Sequence, residues 1–173
     1  MSDQAPVTPP FRISPVRTEL ELEVVAELFA AYAKSLPLDL GYQDFASELA
    51  GLPGKYLPPS GELLVAWDGL GRHVGCVGLR PLGANCCEMK RLYVIPEARS
   101  SGLGKLLVDA IVAVARGCGY AKLHLDTLPT MGSAVRLYER SGFYEIDAYY
   151  GPTPLGTRFM AIDLADVAGS ARN

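Results

Sequence analysis

Long apolar runs are missing from this chain of 173 residues. No stretch approaches the roughly 18 uninterrupted apolar residues of a membrane-spanning helix. The nearest, Leu106 to Ala115, is short and carries Asp109, so no membrane partner is expected. The opening MSDQAPVTPPF lacks both the basic and the apolar region of a secretory signal, which leads to the expectation of a cytoplasmic protein. An excess of one charge is missing too. Sixteen Lys and Arg stand against 19 Asp and Glu, a net charge of −3, so no nucleic-acid partner is expected. Only two His are present, and Cys76, Cys86, Cys87 and Cys118 form no CxxC pair. Metal-ligand spacing is therefore absent, no metal is expected, and the thiols read as reduced and mostly buried. Charged residues are scarce at 20% against 49% apolar, the reverse of a disordered chain.

What the chain has in excess is glycine and proline, 18 and 13 residues, nearly a fifth of the whole. An average chain carries about 12%. Most of the excess is punctuation, in the stretch LPGKYLPPSG over 52–61 and in GPTPLG over 151–156. The length suits one domain, expected over 11–165, with a loose tail over 1–10 and a frayed end over 166–173.

Periodicity predicts a strand over 11–18 and a helix over 19–35, where Leu20, Val24, Leu28, Ala31 and Tyr32 recur at helical spacing before Pro37. A shorter helix is predicted over 42–50. Strands over 62–67 and 73–80 flank the Asp68-Gly69 turn signal, and a third strand over 86–94 ends before Pro96. A helix over 103–116, a strand over 122–127, a helix over 132–141 and strands over 143–148 and 158–164 complete the order. This is a mixed α/β or α+β sheet of about seven strands.

The most informative segment is Arg99-Ser-Ser-Gly-Leu-Gly-Lys105, between an apolar strand and an amphipathic helix. The first N–H groups of a helix lack internal partners and lie at the positive end of its dipole. Glycines there remove the Cβ atoms that would hold an anion away, which makes a phosphate or pyrophosphate cradle, with Ser100, Ser101 and Lys105 as further donors. A nucleotide-triphosphate loop of the GxxxxGK[ST] type fails twice, at Arg99 and at Leu106. A GxGxxG dinucleotide motif fails at Leu107. The remaining alternative is that Gly102 only shapes a tight turn.

Two linked signatures decide between these. Leu92-Tyr93-Val94-Ile95-Pro96 followed by Arg99-x-x-Gly102-x-Gly104, and Ala134-x-x-Leu137-Tyr138-x-x-x-Gly142-Phe143, occur in order with a strand between them. The chain thereby resembles the GNAT superfamily of acyl-CoA-dependent N-acyltransferases, well over 62–164 and in element order before that. The resemblance implies the GNAT fold, a mixed, mostly antiparallel twisted sheet of about seven strands flanked by about four helices. It implies an acetyltransferase that passes an acetyl group from acetyl-CoA directly to a primary amine, as a monomer or homodimer. The pyrophosphate would be held by Arg99, Ser100, Ser101, Gly102, Leu103, Gly104 and Lys105, and the pantetheine arm would pair with Leu92, Tyr93 and Val94. Tyr138 would be the acid that protonates the thiolate, and Glu88 the base, with Asp126 a lesser candidate. Alternation puts Glu88, Lys90, Leu92 and Val94 on one face. One departure is Met131, where the superfamily often carries asparagine; Thr127 or Thr130 would supply the missing polar contact.

In this superfamily the acceptor is selected between the first two helices and by the last hairpin. Those segments carry Tyr32, Asp39, Tyr42, Asp44, Tyr149, Tyr150 and Arg158. Aromatic groups with a few charges suit a small amine or an amino-acid-like molecule. Asp39 and Asp44 would attract a cationic amine, whereas Lys90, Arg91 and Arg158 would grip a carboxylate. A protein or peptide amine, and a silent acyl-CoA sensor, stay open as alternatives.

Overall fold

The computed structural model describes residues 10–165. Its most local feature is the Asp-Gly turn: the Asp68 carboxylate accepts the backbone N–H groups of Leu70 and Arg72, each at 2.9 Å, and folds the chain back on itself. This turn joins strand β2 (Glu62–Asp68) to β3 (His73–Gly83), which pairs with β4 (Cys86–Val94). Together with β1 (Phe11–Pro15), β5 (Lys122–Thr127), β6 (Tyr144–Ile146) and β7 (Arg158–Asp163) they form one sheet, ordered β1-β2-β3-β4-β5-β7-β6. All neighbours are antiparallel except β4 and β5, which run parallel. The mixed sheet of seven strands agrees with the sequence expectation. The expected tail, save Pro10, and the expected frayed end lie outside the described residues.

Helix α1 (Glu19–Ser35) begins in a capping box. Thr18 Oγ1 accepts the Glu21 N–H at 3.2 Å, and the Glu21 carboxylate accepts the N–H groups of Thr18 and Arg17. That box claims the residues leading up to Thr18, so the first strand stops at Pro15 and not at Thr18. The helix expected over 42–50 is divided. Asp44 takes a left-handed conformation (φ 54°) that closes a 3-10 turn over Leu40–Gln43, and only Phe45–Ala50 is α2. Helices α3 (Leu103–Gly117) and α4 (Gly132–Arg140) form where predicted, each within a residue of its expected end.

The helices cover both faces of the sheet. Helix α3 buries Leu103, Leu107, Val108 and Ile111 against Leu79, Met89, Leu123 and Leu125 on one face. Helix α1 buries Val25, Leu28 and Phe29 against Leu63, Val65 and Cys76 on the other. Each such large side chain contributes about 1.5–3 kcal/mol relative to exposure. Cys76 and Cys87 are buried as expected, and burial pushes the Cys87 thiol up to about 12; Cys86 is half-buried and Cys118 exposed. Among the described residues, no helix is long and apolar enough to cross a membrane.

Two irregularities in the middle of the sheet create an opening. The parallel pairing of β4 with β5 comprises only Cys86–Lys122, Cys87–Leu123 and Glu88–His124, after which the strands part. On its other edge β4 is bulged: Lys90 pairs with Gly78 and Tyr93 with Cys76, so three steps on β4 match two on β3. The extra residue is Arg91, held at φ 59°. The bulge resets the alternation. Glu88 and Lys90 face away from the α3 core that holds Cys87 and Met89, whereas Leu92 and Val94 pack against that core and Tyr93 joins the α1 core. The expectation of Glu88, Lys90, Leu92 and Val94 on one face is thereby corrected, because a single inserted residue reverses the phase of every side chain after it.

Candidate active site

A groove of about 820 Å³ runs from the fork between β4 and β5 to the start of α3. Its walls include Leu92, Tyr93, Val94, Arg99, Ser100, Gly102, Leu103 and Gly104, eight of the ten residues expected to hold the cofactor. Gly102 caps α3 at φ 84° with no side-chain capping bond, which leaves the first-turn N–H groups uncapped. A Cβ added to Gly102, which lines the groove, would meet no atom within 4 Å. A phosphate fits such a helix start, where dipole and amides both favour an anion. Arg99 lies along the wall, its Nε donating to Val94 O at 3.1 Å and its guanidinium 5.9 Å from the Tyr93 ring. The side chains of Ser101 and Lys105 are committed elsewhere. Ser101 donates to Ala98 O at 2.5 Å and Lys105 pairs with Asp109 at 2.7 Å, and neither lines the groove.

The groove shares Tyr32, Leu92 and Met131 with a smaller cavity of about 30 Å³ in the fork itself. That cavity is lined by Tyr42, Gln43, Lys90, Arg91, Asp126, Thr127 and Tyr138, among others. Behind it lies a buried network of three cations and three anions. Lys90 Nζ donates to Asp126 Oδ1 at 2.9 Å and lies 4.0 Å from Glu88. Asp126 Oδ2 also accepts from the Tyr150 hydroxyl at 2.8 Å and Gln43 Nε2 at 3.1 Å. Arg91 donates from Nη1 to Gln43 Oε1 at 2.7 Å and from Nε to Glu48 at 2.8 Å. Arg80 bridges Glu48 and Glu88. Burial raises the Asp126 carboxyl, but the Lys90 ammonium and the donated hydrogen bonds outweigh it and hold the group below the usual carboxylate range. At Arg91, burial opposes the charge and Glu48 more than offsets it.

Tyr138 projects from α4 into this cavity, 5% exposed, and its hydroxyl has no hydrogen-bond partner among the described residues. Burial, with the nearby Tyr32 and Asp126, pushes the phenol well above its ordinary value, so it stays protonated. Thr127 Oγ1 lines the same cavity, buried and without a partner. A buried hydroxyl left unpaired costs about 1–3 kcal/mol, and a bound molecule reaching the fork would satisfy it. Thr130 lines the outer groove beside Met131.

Glu88 is in a different position from the one expected. It is 2% exposed, lines neither the groove nor the cavity, and accepts from Arg80 Nε at 2.8 Å and from the Tyr149 hydroxyl at 2.7 Å. A carboxylate held between those donors is not placed to meet an amine, so the structure puts it in the network and Asp126 at the cavity wall. Of the acceptor residues expected, Tyr32, Tyr42 and Lys90 come together in the cavity. Tyr149 is engaged with Glu88, and Arg158 pairs with Glu145 and Glu139 on the outer hairpin. Asp39 accepts the Gly41 N–H at 2.6 Å and serves the 3-10 turn. Sequence reasoning overlooked Gln43, Glu48 and Arg80. No local signal set Gln43 and Glu48 apart from the polar Asp44 and Ser47 beside them.

Similarity to known proteins agrees with this geometry. The profile of the acetyltransferase (GNAT) family matches residues 23–143. A Schizosaccharomyces pombe protein named as an uncharacterised N-acetyltransferase is 44% identical over 144 residues, 82% of this chain and 88% of its own. An acetyltransferase of the GNAT family from Staphylococcus aureus superimposes with a TM-score of 0.74 at 24% identity, covering 90% of this chain and 99% of that one. A Salmonella typhimurium structure with its cofactor acetyl-CoA has the same fold, with a TM-score of 0.67 at 19% identity over 93% of this chain and 98% of its own. With two thirds of its length matched by the profile and a relative at 44% identity, the chain belongs to the acetyltransferase (GNAT) family and is an acyltransferase.

Proposed function

We propose that the protein transfers an acetyl group from acetyl-CoA to the primary amine of a small molecule, both bound together. The observation that carries this is the adjacency of the long groove to the cavity holding Tyr138, Lys90 and Asp126, with Tyr32, Leu92 and Met131 lining both. Acetyl-CoA supplies an activated thioester, whose carbonyl an amine can attack without a covalent enzyme step.

The chain's own residues do the rest. The amides of Gly102 to Gly104 receive the pyrophosphate at the start of α3. The edge of β4 over Leu92 to Val94, left unpaired where β5 departs, takes the arm of the cofactor as an added strand. Thr127 provides the polar contact that Met131 cannot. Tyr138 holds a proton at its hydroxyl and gives it to the thiolate as the carbon–sulfur bond breaks. Asp126, ionised throughout the neutral range, accepts hydrogen bonds from the incoming amine. Its depressed pKa makes it a weak base, so the ammonium proton leaves by water.

The test is acetyl-CoA-dependent thiol release against a library of primary amines, alongside calorimetric titration of acetyl-CoA. Acceptor-dependent release is expected. Binding of acetyl-CoA with no release for any amine would overturn the catalytic reading in favour of a sensor.

A further inference from the structure

Among the charged side chains of the inner cavity, the unused hydrogen-bonding capacity is one-sided. Of the three ammonium protons of Lys90, one is directed to Asp126, and Glu88 at 4.0 Å lies beyond hydrogen-bond reach. Of the five N–H donors of Arg91, one goes to Gln43 and two to Glu48. The Tyr42 hydroxyl accepts from Gln43, and its own proton has no acceptor among the described residues. Against these donors stands Asp126, whose oxygens already accept from Lys90, Tyr150 and Gln43. Two cationic side chains and one anionic side chain line the cavity, and the spare groups on both cations are donors.

Both cations are fixed in place. Lys90 and Arg91 are consecutive, and the bulge at Arg91 brings both to the cavity, whereas a regular strand would send them to opposite faces. Arg91 is clamped by Glu48 and stacked over the Phe45 and Tyr32 rings at 5.1 and 5.9 Å. Lys90 lies 5.6 Å from the Tyr150 ring. Donors that are buried, charged and immobilised recognise an oxyanion at small entropic cost. The cavity's volume limits that group to something compact, of carboxylate size.

We infer that the acceptor is a small amine that itself carries a carboxylate, whose oxygens are received by Lys90 and Arg91 while the amine meets Asp126. The inference rests on the acetyl-transfer reading above and narrows its acceptor. A bare amine or a peptide N-terminus lacking a nearby carboxylate would leave the cationic donors unpaired.

The experiment pairs amino acids with the amines left by removing the carboxylate: glycine with methylamine, leucine with isopentylamine, phenylalanine with phenethylamine. An N-terminally free tripeptide amide forms a further arm. Acetyl-CoA affinity is measured separately by calorimetry. The carboxylate-bearing member of each pair is expected to show kcat/KM higher by at least about tenfold, because a site built for a charged group rejects the analogue that lacks it. Lys90→Gln should bring that ratio close to one, chiefly through KM, with acetyl-CoA affinity unchanged. Equal turnover within pairs, no turnover of any amino acid, faster turnover of the peptide amide, or a folded Lys90→Gln protein that keeps the full ratio would each overturn the inference. If Lys90→Gln does not fold, the wild-type pairs decide alone. Absence of acetyl-CoA binding would instead bring down the underlying reading, and the inference with it.

Discussion

Removing the Glu48 carboxylate should be among the most damaging single changes outside the apolar core. Four donors converge on it: Arg91 through Nε at 2.8 Å and Nη2 at 3.3 Å, Arg80 Nη1 at 3.2 Å, and the Tyr56 hydroxyl at 3.0 Å. The Glu48 side chain is 10% exposed and that of Arg91 only 2%. In Glu48→Ala the Arg91 guanidinium keeps Gln43 but loses its only carboxylate partner among the described residues. Breaking a buried pair from one side typically costs about 3–5 kcal/mol, because the remaining charge stays desolvated. For a chain of this size each kcal/mol lowers Tm by about 2–4 °C, so a fall of about 6–20 °C is expected in calorimetry. Glu48→Gln retains an acceptor oxygen and should fall by less than half as much. Since Arg91 and Gln43 form one wall of the inner cavity, acceptor KM should rise in both variants, while acetyl-CoA affinity, whose proposed contacts at Gly102 to Gly104, Leu92 to Val94 and Thr127 include none of Glu48, Arg91 and Gln43, should hold. A Tm shift under about 2 °C for Glu48→Ala would refute the view that this network holds the cavity together.

Gly102→Val forces a β-branched residue into the left-handed region at a position that lines the groove. Acetyl-CoA affinity should weaken by at least about tenfold in titration, with a stability loss of about 1–2 kcal/mol from the backbone alone. Thr127→Val replaces a buried, unpartnered hydroxyl with a methyl of similar shape, so the free protein should be as stable or slightly more stable, while acetyl-CoA affinity falls by about three- to tenfold. The carboxyl of Asp126 lies below its unfolded value of about 3.9, so its contribution to stability is present above that pH and is lost as pH falls through the folded value. Melting curves between pH 2.5 and 6 should therefore show a steeper acid decline in the wild type than in Asp126→Asn.

What the sequence revealed and what it hid divide along sequence separation. The glycine turn that lines the groove was legible because its glycines, helix start and flanking strand are contiguous, from Leu92 to Lys105. Tyr138 was legible because its motif lies within one helix and the turn after it. The inner cavity was not, because it depends on pairs such as Arg91–Glu48 and Gln43–Asp126, separated by 43 and 83 residues. The bulge had no signal at all. Arginine is a poor residue for φ 59°, and the clamp by Glu48, the bond to Gln43 and the stacking rings oppose that strain. Because alternation was extended across that bulge, Leu92 and Val94 were assigned to the face of Glu88. Arg158 was misread for a related reason: its partner Glu145 lies across the last hairpin, where a charge that looks available in sequence is already paired.

Tyr138→Phe is the most direct test, because it deletes one hydroxyl that makes no bond to the described residues and touches nothing else in the fold. Acetyl-CoA affinity and Tm should stay at wild-type values. The single-turnover rate of acyl transfer should drop by about 100-fold, near 2.7 kcal/mol of barrier, within the range of a lost general acid. Wild-type turnover in that variant would contradict the assignment of the α4 tyrosine as the proton donor.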